Sequence, residues 1–255
     1  LRLAGVPFLV IVHDAEPHPG DGFPFLMTLQ RRLCRVADGI VALTGFIGAR
    51  LTEQGLTGPG GRKLIHGFIP PMRFGQPVAR AAGGPLRLLF FGRLLPYKGL
   101  DLLDEVAAVL GPREDIVLRV AGSGPDSVPL TSLAARPGVT VENRWVSEDE
   151  VGALMAWADA LILPYREASQ SGVAAAGLAA GCAIVATDVG GLREQLSDVP
   201  GVALCPPDAG SLAREVERLA ADPGAVKQVR IDVEAAWREM AESLVRQAEG
   251  VGLVR

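Results

Sequence analysis

Strand-like and helix-like stretches alternate along almost the whole chain, and this alternation constrains the fold more than any other feature. Residues 7–12 (PFLVIV) form a short apolar, β-branched run that closes on His13 and Asp14. Residues 26–37 have helical spacing, 39–43 (GIVAL) are again strand-like, 46–54 helical, and 63–66 a short strand. After a stretch rich in Pro and Gly the pattern restarts, with strands expected at 86–91, 116–121, 138–142, 160–164, 183–187 and 202–205. Helices are expected between them at 99–110, 148–158, 172–180 and 192–196, and then at 209–221. Short apolar strands without polar alternation are buried on both faces, and parallel strands joined through helices achieve that. The expected class is therefore α/β, with helices packed on parallel sheets.

Composition sets outer limits. Of 255 residues, 49% are hydrophobic and 21% charged, which excludes a disordered chain and suits one large domain or two smaller ones. Lysine and arginine number 25 against 29 aspartates and glutamates, a net charge of −4 that argues against general nucleic-acid binding. The three cysteines, Cys34, Cys182 and Cys205, make neither a metal pattern nor a disulfide framework, and point to a reducing cytoplasm. Every apolar run is far shorter than the ~20 residues of a membrane-spanning helix, and no stretch reads as an amphipathic basic helix.

Residues 69–85 have no apolar period and read as an interdomain linker. The expected division is 1–77, 78–232 and a closing amphipathic helix within 233–255, with Trp237, Met240, Leu244 and Val245 on one face. The first block holds about half the elements of a domain of ~100–150 residues. It is expected to be an incomplete domain, its front part absent from this chain.

Chemistry is expected where strands end. In open α/β sheets, ligands bind outside the carboxyl ends of the strands. The run FFGRLLPYKG, residues 90–99, carries Gly92, Arg93 and Lys98 from a strand into a helix. Two cations beside a helix N-terminus suit a phosphate group, although the spacing alone equally fits a solvated basic loop. The run LPYREASQSGV, residues 163–173, ends a strand and opens a small-residue helix. The N–H groups of Ser171, Gly172 and Val173 are expected to face the crevice and bind phosphate or sugar oxygens. Residues 187–194 (TDVGGLRE) bring two glycines to a further helix start. His13 is a candidate for contact with a transferred group or for orienting a nucleophile, although a lone strand-end histidine is commonly structural. The run AGSGPDS at 121–127 lacks one glycine of the dinucleotide fingerprint, and Glu142 follows Gly122 by about 20 residues. That keeps an NAD-dependent oxidoreductase open; otherwise the glycines form a tight turn.

Taken together, FGRLLPYKG, VAGSGP, the Asn143–Ser147 stretch NRWVS, LPYREASQSG and ATDVGGLRE resemble the family-4 glycosyltransferases of the GT-B fold, with HDAEPHPGD matching in the first block. The resemblance implies two Rossmann-like domains facing a cleft, the N-terminal one incomplete here. It implies a nucleoside diphosphate sugar as donor, no cofactor and no metal. Arg93 and Lys98 would grip the donor diphosphate, Val146 would lie beside the nucleobase, and His13 would sit by the reacting sugar. Gly92, Gln170, Ser171, Gly172 and Val173 would line the donor site. The family's usual pair of glutamates should fall near Ala168 and Ala176; Glu167 is one residue off the first, and nothing acidic stands near the second. Gln170 and Ser171 would supply polar contacts instead, in a Gln-Ser-Gly form of the loop.

The expectation is thus a retaining glycosyltransferase acting on a hydroxyl acceptor, a glycan or lipid-linked molecule, in polysaccharide or glycolipid synthesis. Its place would be the cytoplasm, at the inner face of the membrane with peripheral contact, and without nucleic acid. A sugar-nucleotide-binding module without catalysis stays open beside the oxidoreductase, because of the two alanines.

Overall fold

A computed structural model divides the chain into two units, Leu1–Pro70 with Glu234–Arg255, and Pro71–Val233. It describes residues 6–20, 24–74, 84–222 and 230–254; the expected boundary at 77/78 lies outside them.

In the first unit, β1 (Leu9–Val12), β2 (Gly39–Ala42) and β3 (Lys63–His66) form a parallel sheet in that order. Helices α1 (Pro24–Val36) and α2 (Gly45–Glu53) make the crossovers, and Thr44 caps α2 by accepting from the Ile47 amide at 3.2 Å. The core is Val12, Ile40, Val41, Ile47, Leu51 and Ile65 with their neighbours. A long C-terminal helix (Val233–Gly250) belongs to this unit over most of its length. Ala248 is buried in the core, Leu244 packs against it, and the Gln247 side chain bonds both the amide and the carbonyl of His66, at 2.9 and 2.7 Å. Trp237 and Val245, expected on the apolar face, are exposed instead. The inward face is set by Leu244 and Ala248, i and i+4 of the helix, with Val251 packing just past its end.

Helix α1 is a second departure. It turns Phe25, Leu26, Leu29, Leu33 and Val36 outward and carries Arg31, Arg32 and Arg35, with no acidic residue. The sequence pattern does hold this amphipathic basic helix, masked by the polar Thr28 and Gln30 set inside its apolar run.

The second unit is a six-stranded parallel sheet. Its strands are β4 (Leu86–Phe91), β5 (Ile116–Gly122), β6 (Val139–Asn143), β7 (Ala160–Leu163), β8 (Ala183–Thr187) and β9 (Val202–Cys205). They lie in the order β6-β5-β4-β7-β8-β9, which is 3-2-1-4-5-6 within the unit, the doubly wound Rossmann order. The connecting helices are α3 (Leu100–Leu110), α4 (Val128–Ala134), α5 (Glu148–Trp157), α6 (Gly172–Ala179) and α7 (Leu192–Leu196), with α8 (Ala209–Ala221) after the last strand. Strands β7 and β8 are buried at every position, as their unbroken apolar sequences require. Such an order reverses direction between β4 and β7, and the crevice outside their carboxyl ends is where this architecture takes ligands.

Candidate functional site

The two loops at that reversal carry the strongest sequence motifs. After β4 comes Gly92, then a 3-10 turn at Pro96–Lys98 that closes on Gly99. After β7 come Pro164, Tyr165 and the polar run to Ser171, which caps α6. Gly99 welds the two loops together. It has φ +72°, and a Cβ there would fall 1.8 Å from the Pro164 carbonyl oxygen, so only glycine fits. The Arg166 amide donates to the Tyr97 carbonyl at 2.9 Å alongside it.

Lys98 is thereby held inside. Its residue is 8% exposed, and its Nζ lies 3.7 Å from the centroid of the Tyr165 ring and 5.1 Å from that of Tyr97. Among the described residues no carboxylate pairs with it. Two ring faces compensate a buried ammonium only in part, by about 2 kcal/mol for a desolvated cation on a ring. A cation set up in this way is suited to an incoming anion. Arg93 is exposed beside it and donates from Nη2 to the Tyr97 hydroxyl at 2.7 Å. Arg166, the other arginine in these loops, is ion-paired with Asp101 at 2.8 Å.

The start of α6 completes the constellation. Tyr165 is fully buried, with its hydroxyl 3.4 Å from Ser171 Oγ, and that Oγ accepts from the Ala174 amide at 3.1 Å. The Ser171 amide does not face a ligand as expected: Gln195 of α7 accepts from it at 2.8 Å and donates back to the Ser171 carbonyl at 2.9 Å. The amides of Gly172 and Val173 donate to no such partner among the described residues, and they carry the positive end of the helix dipole. Val173 meets the β4 loop, since a Cβ on Gly92 would lie 3.4 Å from its Cγ2. Gly92, Arg93, Lys98, Ser171, Gly172 and Val173 are therefore neighbours on one edge of one sheet.

Other expected residues stand differently. Val146 is buried in the core. Glu167 is exposed and Gln170 half-buried. Ala168 and Ala176, at the positions of the missing glutamates, are both buried. His13 is exposed one residue past β1, in the first unit, where Asp14 is bonded to His18 at 3.0 Å. Three contributors escaped the sequence reading: Tyr97, Tyr165 and Gln195. The first two had a signal, because the chain's two tyrosines fall one in each loop motif.

The glycines of AGSGPDS serve the fold. Gly122 has φ +147°, and a Cβ on it would fall 1.7 Å from the Gly92 carbonyl oxygen. Glu142 is ion-paired with Arg119 and Arg144, and the Arg119 guanidinium above all holds its carboxyl below the usual range. The motif also follows β5, one strand away from the reversal at β4 and β7 where a pyrophosphate loop belongs. The oxidoreductase reading loses its phosphate loop and its ribose acid together. Among the described residues no three His, Cys, Asp or Glu side chains cluster as metal ligands, and no helix is long and apolar enough to cross a membrane.

The fold class is that of the GT-B glycosyltransferases. The chain superimposes on the Anabaena protein HepE, solved in complex with UDP-glucose, with a TM-score of 0.69 over 97% of this chain and 72% of that one, at 15% identity. A family model described as "Glycosyl transferases group 1" matches residues 85–222, and the chain belongs to that family. It is similar to 2-deoxystreptamine glucosyltransferase of Streptomyces kanamyceticus, 27% identical over 88% of this chain and 64% of the relative. It is also similar to glycogen synthase of Mycobacterium tuberculosis, 31% identical over 88% of this chain and 56% of the relative. The chain thus spans less than two thirds of either relative's length.

Proposed function

We propose that this chain carries the donor-binding machinery of a family-4 retaining glycosyltransferase, which moves a sugar from a nucleoside diphosphate sugar to a hydroxyl of a glycan or lipid-linked acceptor. The observation that carries the reading is Lys98, a buried ammonium without a carboxylate partner at the sheet's reversal point, beside the amides of Gly172 and Val173. Transfer builds negative charge on the departing diphosphate. Preorganised cations and helix-end amides stabilise that charge at the moment of bond breaking, which is where electrostatic catalysis is worth most. Lys98 takes the buried part of that charge and Arg93 the exposed part, so these side chains supply the neutralisation a metal ion otherwise gives. His13 is assigned to the sugar being transferred. Glu167 and Gln170 are assigned to the donor's hydroxyls, in place of the glutamates that Ala168 and Ala176 replace. The UDP-glucose complex of HepE and the sugar-transferring relatives support the choice of donor class.

Work on cell-surface polysaccharide or glycolipid at the inner face of the membrane is part of this reading. The exposed apolar stripe and three arginines of α1 support peripheral contact with an anionic surface.

Calorimetric titration with UDP, GDP and NAD, without added metal, tests the core of the proposal. One or both nucleoside diphosphates should bind, and Lys98→Ala should weaken that binding at least tenfold, a lost charge-assisted contact of about 1.5–3 kcal/mol. Binding of NAD alone, or diphosphate affinity unchanged in Lys98→Ala and Arg93→Ala, would overturn it.

A further inference from the structure

We propose that the second unit holds a further small-molecule site, a cavity near the amino ends of its strands that takes the tail of a short aliphatic carboxylate while Arg136 holds the carboxylate itself. The cavity measures about 80 Å³ and lies between α3 and the starts of β5 and β6. Its walls are largely apolar, with Val106, Ala107 and Leu110 from α3 facing Ile116 and Leu118 from β5, and Arg113 and Arg136 stand in the same wall. The donor-type site is at the other end of the sheet. Helix α3 runs between the two, opening after Gly99 next to Lys98 and ending at Leu110, a length of about 16 Å. The cavity is therefore a separate site.

The sequence explains why a cavity forms here. Strand β5 has seven residues and spans about 23 Å. Helix α4, which packs beside α3 and returns the chain to β6, also has seven residues and spans only about 10 Å. Its buried residues are Leu130 and Leu133. The chain then reaches β6 through Ala134, Ala135, Arg136, Pro137 and Gly138, with no long apolar side chain to fill the space.

Size selects the tail and the wall's polar groups select what it is attached to. An apolar cavity accepts an apolar guest, and one of roughly 150 Å³ admits a benzene ring. A space about half as large takes a chain of roughly three or four carbons instead. Arg113 is occupied through Nε, Nη1 and Nη2, by Asp115 at 2.9 and 2.8 Å and by Glu217 at 2.8 Å. Arg136 is half-buried and differs. Its Nε donates to Asp104 Oδ1 at 2.7 Å, an oxygen that also accepts from the Ser132 hydroxyl at 2.9 Å. Its Nη groups have no side-chain partner among the described residues. A guanidinium with that edge open matches a carboxylate in a bidentate pair. Of the acids around the mouth, Asp115 and Glu217 both lie on Arg113, and Asp104 alone reaches Arg136. The ligand is thus an acid whose tail enters the cavity and whose carboxylate stays at the mouth.

The experiment is a methyl NMR titration of the whole chain with acetate, propanoate, butanoate and pentanoate, comparing wild type with Ala107→Leu and Arg136→Gln. Pentanol and pentylamine serve as controls of the same chain length. Pentanoate should shift the methyl signals of Val106, Leu110 and Ile116, and affinity should rise about fourfold with each added carbon as another methylene leaves water. Ala107→Leu fills the cavity and should abolish the shifts, with the fold checked by its melting temperature. Arg136→Gln should weaken pentanoate roughly tenfold, the loss of a charge-assisted pair. No methyl shift in wild type with any acid of the series, or shifts that persist in Ala107→Leu, would overturn the site. Pentanol or pentylamine bound as tightly as pentanoate, or pentanoate affinity unchanged in Arg136→Gln, would overturn the assignment of a carboxylate to Arg136.

Discussion

Gly122 separates the structural reading of AGSGPDS from the cofactor reading. If the residue were a pyrophosphate contact, Gly122→Ala would lower NAD affinity and leave the fold intact. The geometry demands the reverse, because the added methyl meets the Gly92 carbonyl rather than a flexible side chain. Gly122→Ala should cost about 3 kcal/mol, from strain at a positive φ together with a backbone clash, and urea unfolding measures it. An unchanged midpoint would contradict the packing of the β4 and β5 loops described here. Residues of this kind mark the limit of what the sequence makes legible. FGRLLPYKG and LPYREASQSG are legible as strand-end runs through their order, and Lys98, Gly172 and Val173 lie in the segments that follow β4 and β7. Which amide is free is a different matter. Ser171 looked equivalent to Gly172 until Gln195, from a helix beyond the next strand, took its N–H. Val146, which the resemblance sets beside the nucleobase, is buried while its neighbour Trp145 is exposed. The Ser171 outcome is decided by a long-range partner that no local pattern encodes.

Helix α5 shows how an element's end is set by a few polar groups. Ser147 accepts from the Glu150 amide, and the Glu150 carboxylate accepts from the Ser147 amide, a capping box. Arg144 pairs with the same carboxylate at 2.7 Å, and with the two Ser147 contacts it holds Glu150 down at about 2. A carboxyl depressed in the folded state favours folding above its ordinary value near 4.5, and that contribution drains away as pH falls towards about 2. Ser147→Ala removes the N-cap, which should cost about 1 kcal/mol, and it should also move the Glu150 midpoint back up. Titration of the carboxyl by NMR checks both states, and a wild-type midpoint near 4.5 would contradict the box. At this scale most of the fold was readable. The strands at 63–66, 86–91, 183–187 and 202–205 have the expected bounds, although only 183–187 is buried at every position and 63–66 has the exposed Lys63 and His66 at its ends. Helix α4 was missed. It is seven residues long, opens on Val128 and carries Pro129, which is tolerated in a first turn but reads as a breaker.

Two separate hydrophobic cores run through the chain, one in each unit, and they make a claim about the whole molecule that calorimetry can decide. The second unit buries a six-stranded sheet beneath helices, whereas the first holds three strands and fewer buried residues. Stability grows with the apolar area removed from water, so the first unit should melt at lower temperature and the heat-capacity trace should resolve two transitions. Each transition then responds to its own perturbation. Ile65 is fully buried in the first core, and Ile65→Val should cost about 1 kcal/mol and lower the first transition alone. A nucleoside diphosphate should raise the second alone, because Lys98, Gly172 and Val173 all belong to that unit. At a hundredfold excess over its dissociation constant the ligand contributes about 2.7 kcal/mol, a shift of several degrees in a unit of this size. If one cooperative transition moves as a whole under both perturbations, the units do not unfold independently. If the ligand raises the first transition and leaves the second, the donor site has been placed on the wrong unit.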